Sequence, residues 1–313
     1  MSDNHPSWER EVVTQLAESS LREQRRARRW GIFFKLLTFA YIAAIFYIYG
    51  GASISNVHLN EKHTALVELT GVIADKEKAN ADNIVTALRD AFENKKSAGV
   101  ILRINSPGGS PVQSGYIYDE IRRLRKENPD KPLYAVVTDI CASGGYYIAA
   151  AADKIYADKA SIVGSIGVRM DNFGFVEAID KLGIERRTLT AGDNKALLDP
   201  FLPEDEKTKA HMQTMLSEIH QQFIDSVKEG RGDRLDTSVE GVFSGLIWTG
   251  ETAVNIGLVD ELASASHVAR EVIGEETIVD YTLHEDILER FAERLGSTVA
   301  QVISTQFFSN SPR

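Results

Sequence analysis

The chain has 313 residues, with 45 Asp and Glu against 35 Lys and Arg, for a formal charge of −10. With 43% apolar and 26% charged residues it reads as globular, one large or two modest domains, and not as a collagen, a disulfide scaffold or a disordered acidic tail. One cysteine, Cys141, excludes an intrachain disulfide and a cysteine-based zinc cluster, and the acidic balance argues against nucleic acid as a partner, because that affinity comes mostly from neutralising phosphates.

The apolar residues are unevenly spread. Residues 1–30 are polar and end in a basic run, Arg22, Arg25, Arg26, Arg28 and Arg29. Residues Gly31 to Tyr49 (GIFFKLLTFAYIAAIFYIY) then carry a single charge, Lys35. At a rise of about 1.5 Å per residue this stretch makes a helix of roughly 28 Å, close to the hydrocarbon thickness of a bilayer. Lys35 can snorkel, and Trp30, Tyr47 and Tyr49 suit the two interfaces. The arginines predict a cytoplasmic tail over 1–30, a transmembrane anchor over 31–50 and everything after it outside the cytoplasm. A buried core helix fits poorly, because the segment is apolar all round and is flanked by a basic cluster. A cleaved leader would use the small residues Gly50–Ser53, but thirty polar residues are long for its first part. The first 35 residues hold 7 basic against 5 acidic side chains, which leaves 28 against 40, or −12, for the remainder.

After a linker over 51–62 the pattern becomes βα, and an α/β domain is expected over 63–275. Strands are read at His63–Thr70, Gly99–Ile104, Leu133–Thr138, Lys154–Ala157 and Ser161–Val168. Helices are read at Asn80–Asn94, with Ile84, Leu88 and Phe92 four apart; at Gln113–Lys126; at Gly144–Ala152; and at Pro203–Gly230. Acidic Glu204, Asp205 and Glu206 stand near the start of the last, where they complement the helix dipole. Repeated strand–helix units with short turns argue for a parallel sheet. A further amphipathic helix, Glu285–Thr305, is expected within a C-terminal segment 276–313.

Two glycine-rich turns follow apolar strands: Asn105-Ser106-Pro107-Gly108-Gly109-Ser110 and Cys141-Ala142-Ser143-Gly144-Gly145. A serine at a strand-to-helix turn is exposed at the end of a sheet beside free N–H groups. Glycines let a substrate backbone come close. Together the turns resemble a nucleophile with an oxyanion hole, whose second pair of donors would come from Gly108 or Gly109. Each turn is equally readable as a tight βα connection in which Ser143 merely caps the helix. Neither a phosphate loop nor a dinucleotide fingerprint is present. None of the seven histidines sits in a motif, and His211 and His220, on the long polar helix, read as solvated. A lysine base must be neutral at working pH, which requires desolvation. Lys195, in Gly192-Asp193-Asn194-Lys195-Ala196-Leu197-Leu198-Asp199-Pro200-Phe201, has an apolar setting, though the residues alone do not single it out.

The blocks LRINSPGGSPVQSGYIYDEI, CASGGYYIAAAADKIYADKASIVGSIGV and GDNKALLDPF resemble, in order and spacing, the signal peptide peptidase A family in its single-domain bacterial form. The likeness runs from about Thr64 to Ala269. It implies a Clp/crotonase-like fold of repeated ββα units and a peptidase domain over 63–275 that uses a Ser–Lys dyad without metal or cofactor. Carried over by motif, the nucleophile falls on Ser143, the general base on Lys195, and the serine that orients the lysine on Ser165. The oxyanion donors fall on Gly109 and Gly144. The family implies homo-oligomeric rings in which neighbours share Ser and Lys. It also implies apolar remnants of signal peptides as substrates, and a cytoplasmic-membrane location with the catalytic domain periplasmic or otherwise extracytoplasmic. A crotonase-like acyl-thioester enzyme and a catalytically silent membrane scaffold are the alternatives. The extracytoplasmic side, away from CoA, argues against the first, and the intact motifs argue against the second.

Overall fold

The computed structural model describes residues 7–50 and 61–283, with side chains from 12 to 44 in the first stretch. The chain divides into two compact units, residues 1–57 and 58–313. The first holds one helix, α1 (Ser7–Gly50), into which both the basic run and the expected span fall. Its apolar side chains are bare: Phe33, Phe34, Leu36, Leu37 and Phe39 are all more than half exposed. Among the described residues no helix is long and apolar enough to cross a membrane. The side chains of 45–50, the end of the expected span, lie outside the described residues, as do most of the linker and the helix expected at 285–305.

The second unit is built on an eight-stranded sheet. Its first half alternates strand and helix: β1 (His63–Thr70), α2 (Ala81–Glu93), β2 (Ser97–Ser106), α3 (Pro111–Glu127), β3 (Leu133–Ala142) and α4 (Gly144–Ala149). There follow β4 (Lys154–Ala157), β5 (Ile162–Gly164), α5 (Val176–Lys181) and α6 (Glu206–Arg231). The remaining elements are β6 (Ile247–Thr249), α7 (Gly250–Asn255), β7 (Glu261–Leu262), α8 (Ala265–His267) and β8 (Ile278–Asp280). The order across the sheet is β6-β5-β3-β2-β1-β8, with β4 on β3 and β7 on β4. Every pairing is parallel except β5 with β6. The parallel α/β expectation therefore holds. The sheet also runs past the expected boundary at residue 275, because β8 hydrogen-bonds the outer side of β1.

Strand alternation explains why both faces are covered. Ala65, Val67, Leu69, Val100, Leu102 and Ile104 point into the larger core, under α2, α3 and α4. Leu66, Ile101, Val136 and Tyr156 point the other way, into a smaller core closed by the Val268–Ile273 turn. Helix α2 starts at Asn80, whose side chain accepts from Asn83 N–H. Its Ile84, Leu88 and Phe92 are buried at four-residue spacing, each contributing about 1.5–3 kcal/mol. Helix α6 starts one residue after Asp205, whose carboxylate takes the Thr208 N–H at 2.9 Å. It buries Phe223, Val227 and Arg231, again four apart.

Candidate active site

Strands β2 and β3 are parallel neighbours, so the two glycine turns that follow them lie side by side at the carboxyl end of the sheet. The pairing there is irregular: the register shifts between Ile104 and Ser106, and Ser106 pairs with Cys141. The first turn is stapled to the chain after β1. Ile73 N–H donates to Gly108 O at 2.9 Å, and Ser110 N–H donates to Ile73 O at 2.7 Å. A Cβ at Gly109 would lie 2.0 Å from Ile73 O, so only glycine fits. Gly108, at φ +98°, packs against the second turn; a Cβ there would stand 2.7 Å from both Gly144 N and Ser143 Cβ.

Ser143 occupies a sharp elbow between β3 and α4, at φ 53° and ψ −124°. A residue with a Cβ holds such a conformation at a cost of about 1–3 kcal/mol. The elbow is kept by Ser143 N–H donating to Gly164 O at 2.8 Å and by the packing of Gly108. The Ser143 side chain makes no cap hydrogen bond to α4, so the capping reading of this turn is set aside. A Cβ at Gly144 would lie 3.2 Å from Gly109 N, which brings the two expected oxyanion donors to one place.

Ser165 also has positive φ, 54°, and its N–H donates to Leu246 O at 2.7 Å. Ser143, Ser165, Gly109 and Gly144 all line one cavity of 970 Å³. Its other walls are mixed: Val112 and Tyr116 from α3, Tyr147 from α4, and Ile219 and Phe223 from α6 are apolar or aromatic, while Asp119, Arg169 and Gln222 add polar groups. Tyr147 stacks on Phe223 with ring centres 5.0 Å apart. Its neighbour Tyr146 is a core residue, fully buried and donating to Leu258 O at 2.8 Å. Cys141 is fully buried as well, and burial pushes its thiol well above the usual range, so it is no second nucleophile.

Lys195 is not among the residues around that cavity. It is exposed, in a turn where its N–H donates to Gly192 O at 3.2 Å. The turn is tied down by Asp199, which accepts from Phe201 N–H at 3.0 Å and from Arg186 at 2.9 Å. Those two contacts, the backbone one first, hold the Asp199 carboxyl below its ordinary range. One chain therefore assembles the two serines and both donors but leaves the expected base apart. The segment carrying Lys195 is open to solvent, with Leu189 fully exposed and Phe173 and Leu182 more than 70% exposed.

Other neighbours of the site carried no sequence signal. Ser114 Oγ sits where a Gly144 Cβ would go, 2.5 Å away, and donates to Ser110 O at 2.9 Å. Leu246 and Gly245, from the loop before β6, flank Ser165 and Gly167. His211 is exposed as expected, but His220 is not simply solvated. It is half-buried, with Nε2 3.1 Å from Ile166 O, because this face of α6 turns toward the sheet.

A family model described as Peptidase family S49 matches residues 125–277. The chain is 48% identical over 189 residues to a Brucella abortus (strain 2308) protein named "Na(+)/H(+) antiporter NhaA", a match that covers 60% of this chain and 25% of that one. It thus spans a quarter of the length of that relative. It is 32% identical over 270 residues to "Putative signal peptide peptidase SppA" of Enterococcus faecium, covering 81% of this chain and 77% of the relative. It is 34% identical over 241 residues to "Serine protease SPPA, chloroplastic" of Arabidopsis thaliana, covering 72% and 34%. With its cavity serine inside the matched region, and with relatives such as the Enterococcus faecium protein matched over most of both chains, the chain belongs to peptidase family S49, the signal peptide peptidase A family of serine peptidases.

Proposed function

We propose that the chain is a membrane-anchored serine endopeptidase that cleaves apolar peptides, such as remnants of signal peptides, on the extracytoplasmic side. The observation that carries this is the Ser143 elbow, opening with Gly109 and Gly144 into a cavity of 970 Å³ that Val112, Tyr116, Tyr147, Ile219 and Phe223 help to wall. Free Lys195 amine takes the Ser143 proton, and the alkoxide attacks the scissile carbonyl. The oxyanion is held by the Gly109 and Gly144 N–H groups. The protonated lysine gives its proton to the leaving amine, which departs and leaves an acyl-serine. Water, deprotonated by the same lysine, attacks the acyl group, and the proton returns to Ser143. This sequence needs no metal or cofactor. Hydrolysis should therefore rise from acid toward neutral and alkaline pH, since the base acts as the free amine.

In this reading the base of one copy serves the serine of a neighbour within a homo-oligomeric ring. Support comes from the fact that Lys195 does not line its own chain's cavity and from the bare apolar residues on its segment. The anchor is residues 31–50, for which the apolar run behind the arginine cluster is the support.

The test is hydrolysis of an internally quenched apolar peptide by the full-length protein, its Ser143→Ala and Lys195→Ala variants, and mixed assemblies of the two. Each variant alone should lose at least about a thousand-fold in kcat. Mixed rings should regain part of it. Undiminished hydrolysis by either variant rejects the dyad, and no recovery in verified mixed rings rejects sharing.

A further inference from the structure

We infer that His220 is a positioning residue for peptide hydrolysis and acts through Ser165; the inference rests on the roles proposed above for Ser143 and Ser165. His220 Nε2 lies 3.1 Å from the Ile166 carbonyl oxygen, across 54 residues of chain. A carbonyl can only accept, so Nε2 carries the hydrogen and donates it. That fixes the tautomer of the neutral ring.

The bond matters because of what it holds. Ser165 is at φ 54°, a conformation that a residue with a Cβ keeps only where its surroundings impose it. Two hydrogen bonds bracket it. On one side its own N–H donates to Leu246 O at 2.7 Å. On the other, the carbonyl of the following residue, Ile166 O, is the one that His220 holds. Gly167, immediately after, offers no side chain; its backbone lies so close to Gly245 that a Cβ would stand 3.1 Å from the Gly245 Cα. His220 is thus the side chain that ties this segment to α6. The same helix supplies Ile219 and Phe223 to the cavity wall, so the histidine fixes the Ser165 hydroxyl relative to the wall against which a substrate rests. A group that orients a general base must be held to well under an ångström; burial of the Ile166 side chain and the Leu246 bond restrain the segment, and His220 adds the hydrogen bond that sets the direction of the Ile166 carbonyl.

The test compares full-length protein carrying His220→Phe, His220→Asn, His220→Gln and Ser165→Ala, and the Ser165→Ala/His220→Phe double variant. All are assayed on the internally quenched apolar peptide, with a thermal melt for each. Phe keeps the ring volume without the donor, Asn is too short to reach, and Gln extends an N–H donor toward the carbonyl. His220→Phe and His220→Asn should lower kcat about ten-fold with KM within about two-fold, and His220→Gln should recover most of the loss. In the Ser165→Ala background His220→Phe should cost nothing further, because the residue it acts through is already gone. Wild-type kcat in both the Phe and Asn variants overturns the inference, as does a full additive loss in the double variant or failure of Gln to restore. If Phe impairs folding, the Asn and Gln pair decides by itself. Ser143→Ala is the control: if it still hydrolyses the peptide, the site reading falls, whereas an inactive Ser143→Ala beside a fully active His220→Asn removes only the histidine.

Discussion

Two alanine substitutions three dozen residues apart in sequence, Gly108→Ala and Gly144→Ala, touch the same few ångströms of the site and should fail by different routes. A Cβ on Gly108 meets Gly144 N and Ser143 Cβ at 2.7 Å and Ala142 O at 2.8 Å. All belong to the elbow, which has no free rotor to give way. Overpacking costs about 1–3 kcal/mol, and φ +98° adds strain of about the same size, so the sum is about 2–6 kcal/mol. Relief requires Ser143 to move, and a displacement of about 1 Å costs about a hundred-fold in rate. A Cβ on Gly144 meets Ser114 Oγ at 2.5 Å, which is the end of a single rotatable bond. The hydroxyl swings aside and forfeits its 2.9 Å bond to Ser110 O, a loss of about 1 kcal/mol. The new methyl then stands 3.2 Å from Gly109 N and crowds an oxyanion donor, for a loss of about 10²–10³ in kcat/KM. Urea unfolding followed by circular dichroism, beside peptide hydrolysis, measures both quantities. Gly108→Ala should lose stability and activity together, and Gly144→Ala chiefly activity, with only about 1 kcal/mol of stability. A Gly108→Ala protein as stable as wild type, or a Gly144→Ala protein less stable than Gly108→Ala, would refute the reasoning.

Asp260→Ala should be strongly destabilising, by about 3–5 kcal/mol in urea, because it strands Arg231, whose side chain is 1% exposed and bonds Asp260 at 2.7 Å. Glu120 accepts from Arg123 and Arg89, which pull its carboxyl from the ordinary 4.5 down to about 2. Its contribution is therefore complete above pH 4.5 and fades as the pH falls toward 2; melts across that range should show a loss of about 1–2 kcal/mol that Glu120→Gln lacks. Cys141, fully buried, should resist maleimide in the folded protein and react within minutes in denaturant, as followed by mass spectrometry. Rapid labelling without denaturant would contradict its burial.

What could be read from the sequence follows from how local the cause is. The strands at His63–Thr70 and Lys154–Ala157 match the structure residue for residue, since alternation and flanking turns set them. The helix around Ile84, Leu88 and Phe92 was visible in its four-residue spacing. Four of the five expected site residues surround one cavity, because adjacent parallel strands deliver both glycine turns to the same edge. Lys195 is the exception: it lies on an exposed turn and does not line that cavity. His220 was misjudged because a helix face is assigned as wet or dry by its neighbours in sequence, while the Ile166 carbonyl that it meets arrives from 54 residues away. Ser114 gave no signal for the same reason, since its tie to the site depends on the fold bringing Gly144 over α3.

The pairing of β8 with β1 has a consequence for synthesis. β1 precedes the other described strands, yet its outer edge is covered only when residues 278–280 arrive; His63 and Tyr281, which meet at 2.9 Å, are 218 residues apart. Until then β1, β2 and β3 can form and pack under α2 and α3 with one row of backbone donors and acceptors uncovered. An uncovered edge is a template for pairing with another nascent chain. For a chain that folds from its amino end, that exposure lasts through the synthesis of the 218 residues between His63 and Tyr281. A holding chaperone on the first three strands, or delayed folding, would guard the product, and any truncation that removes β8 would make the exposure permanent.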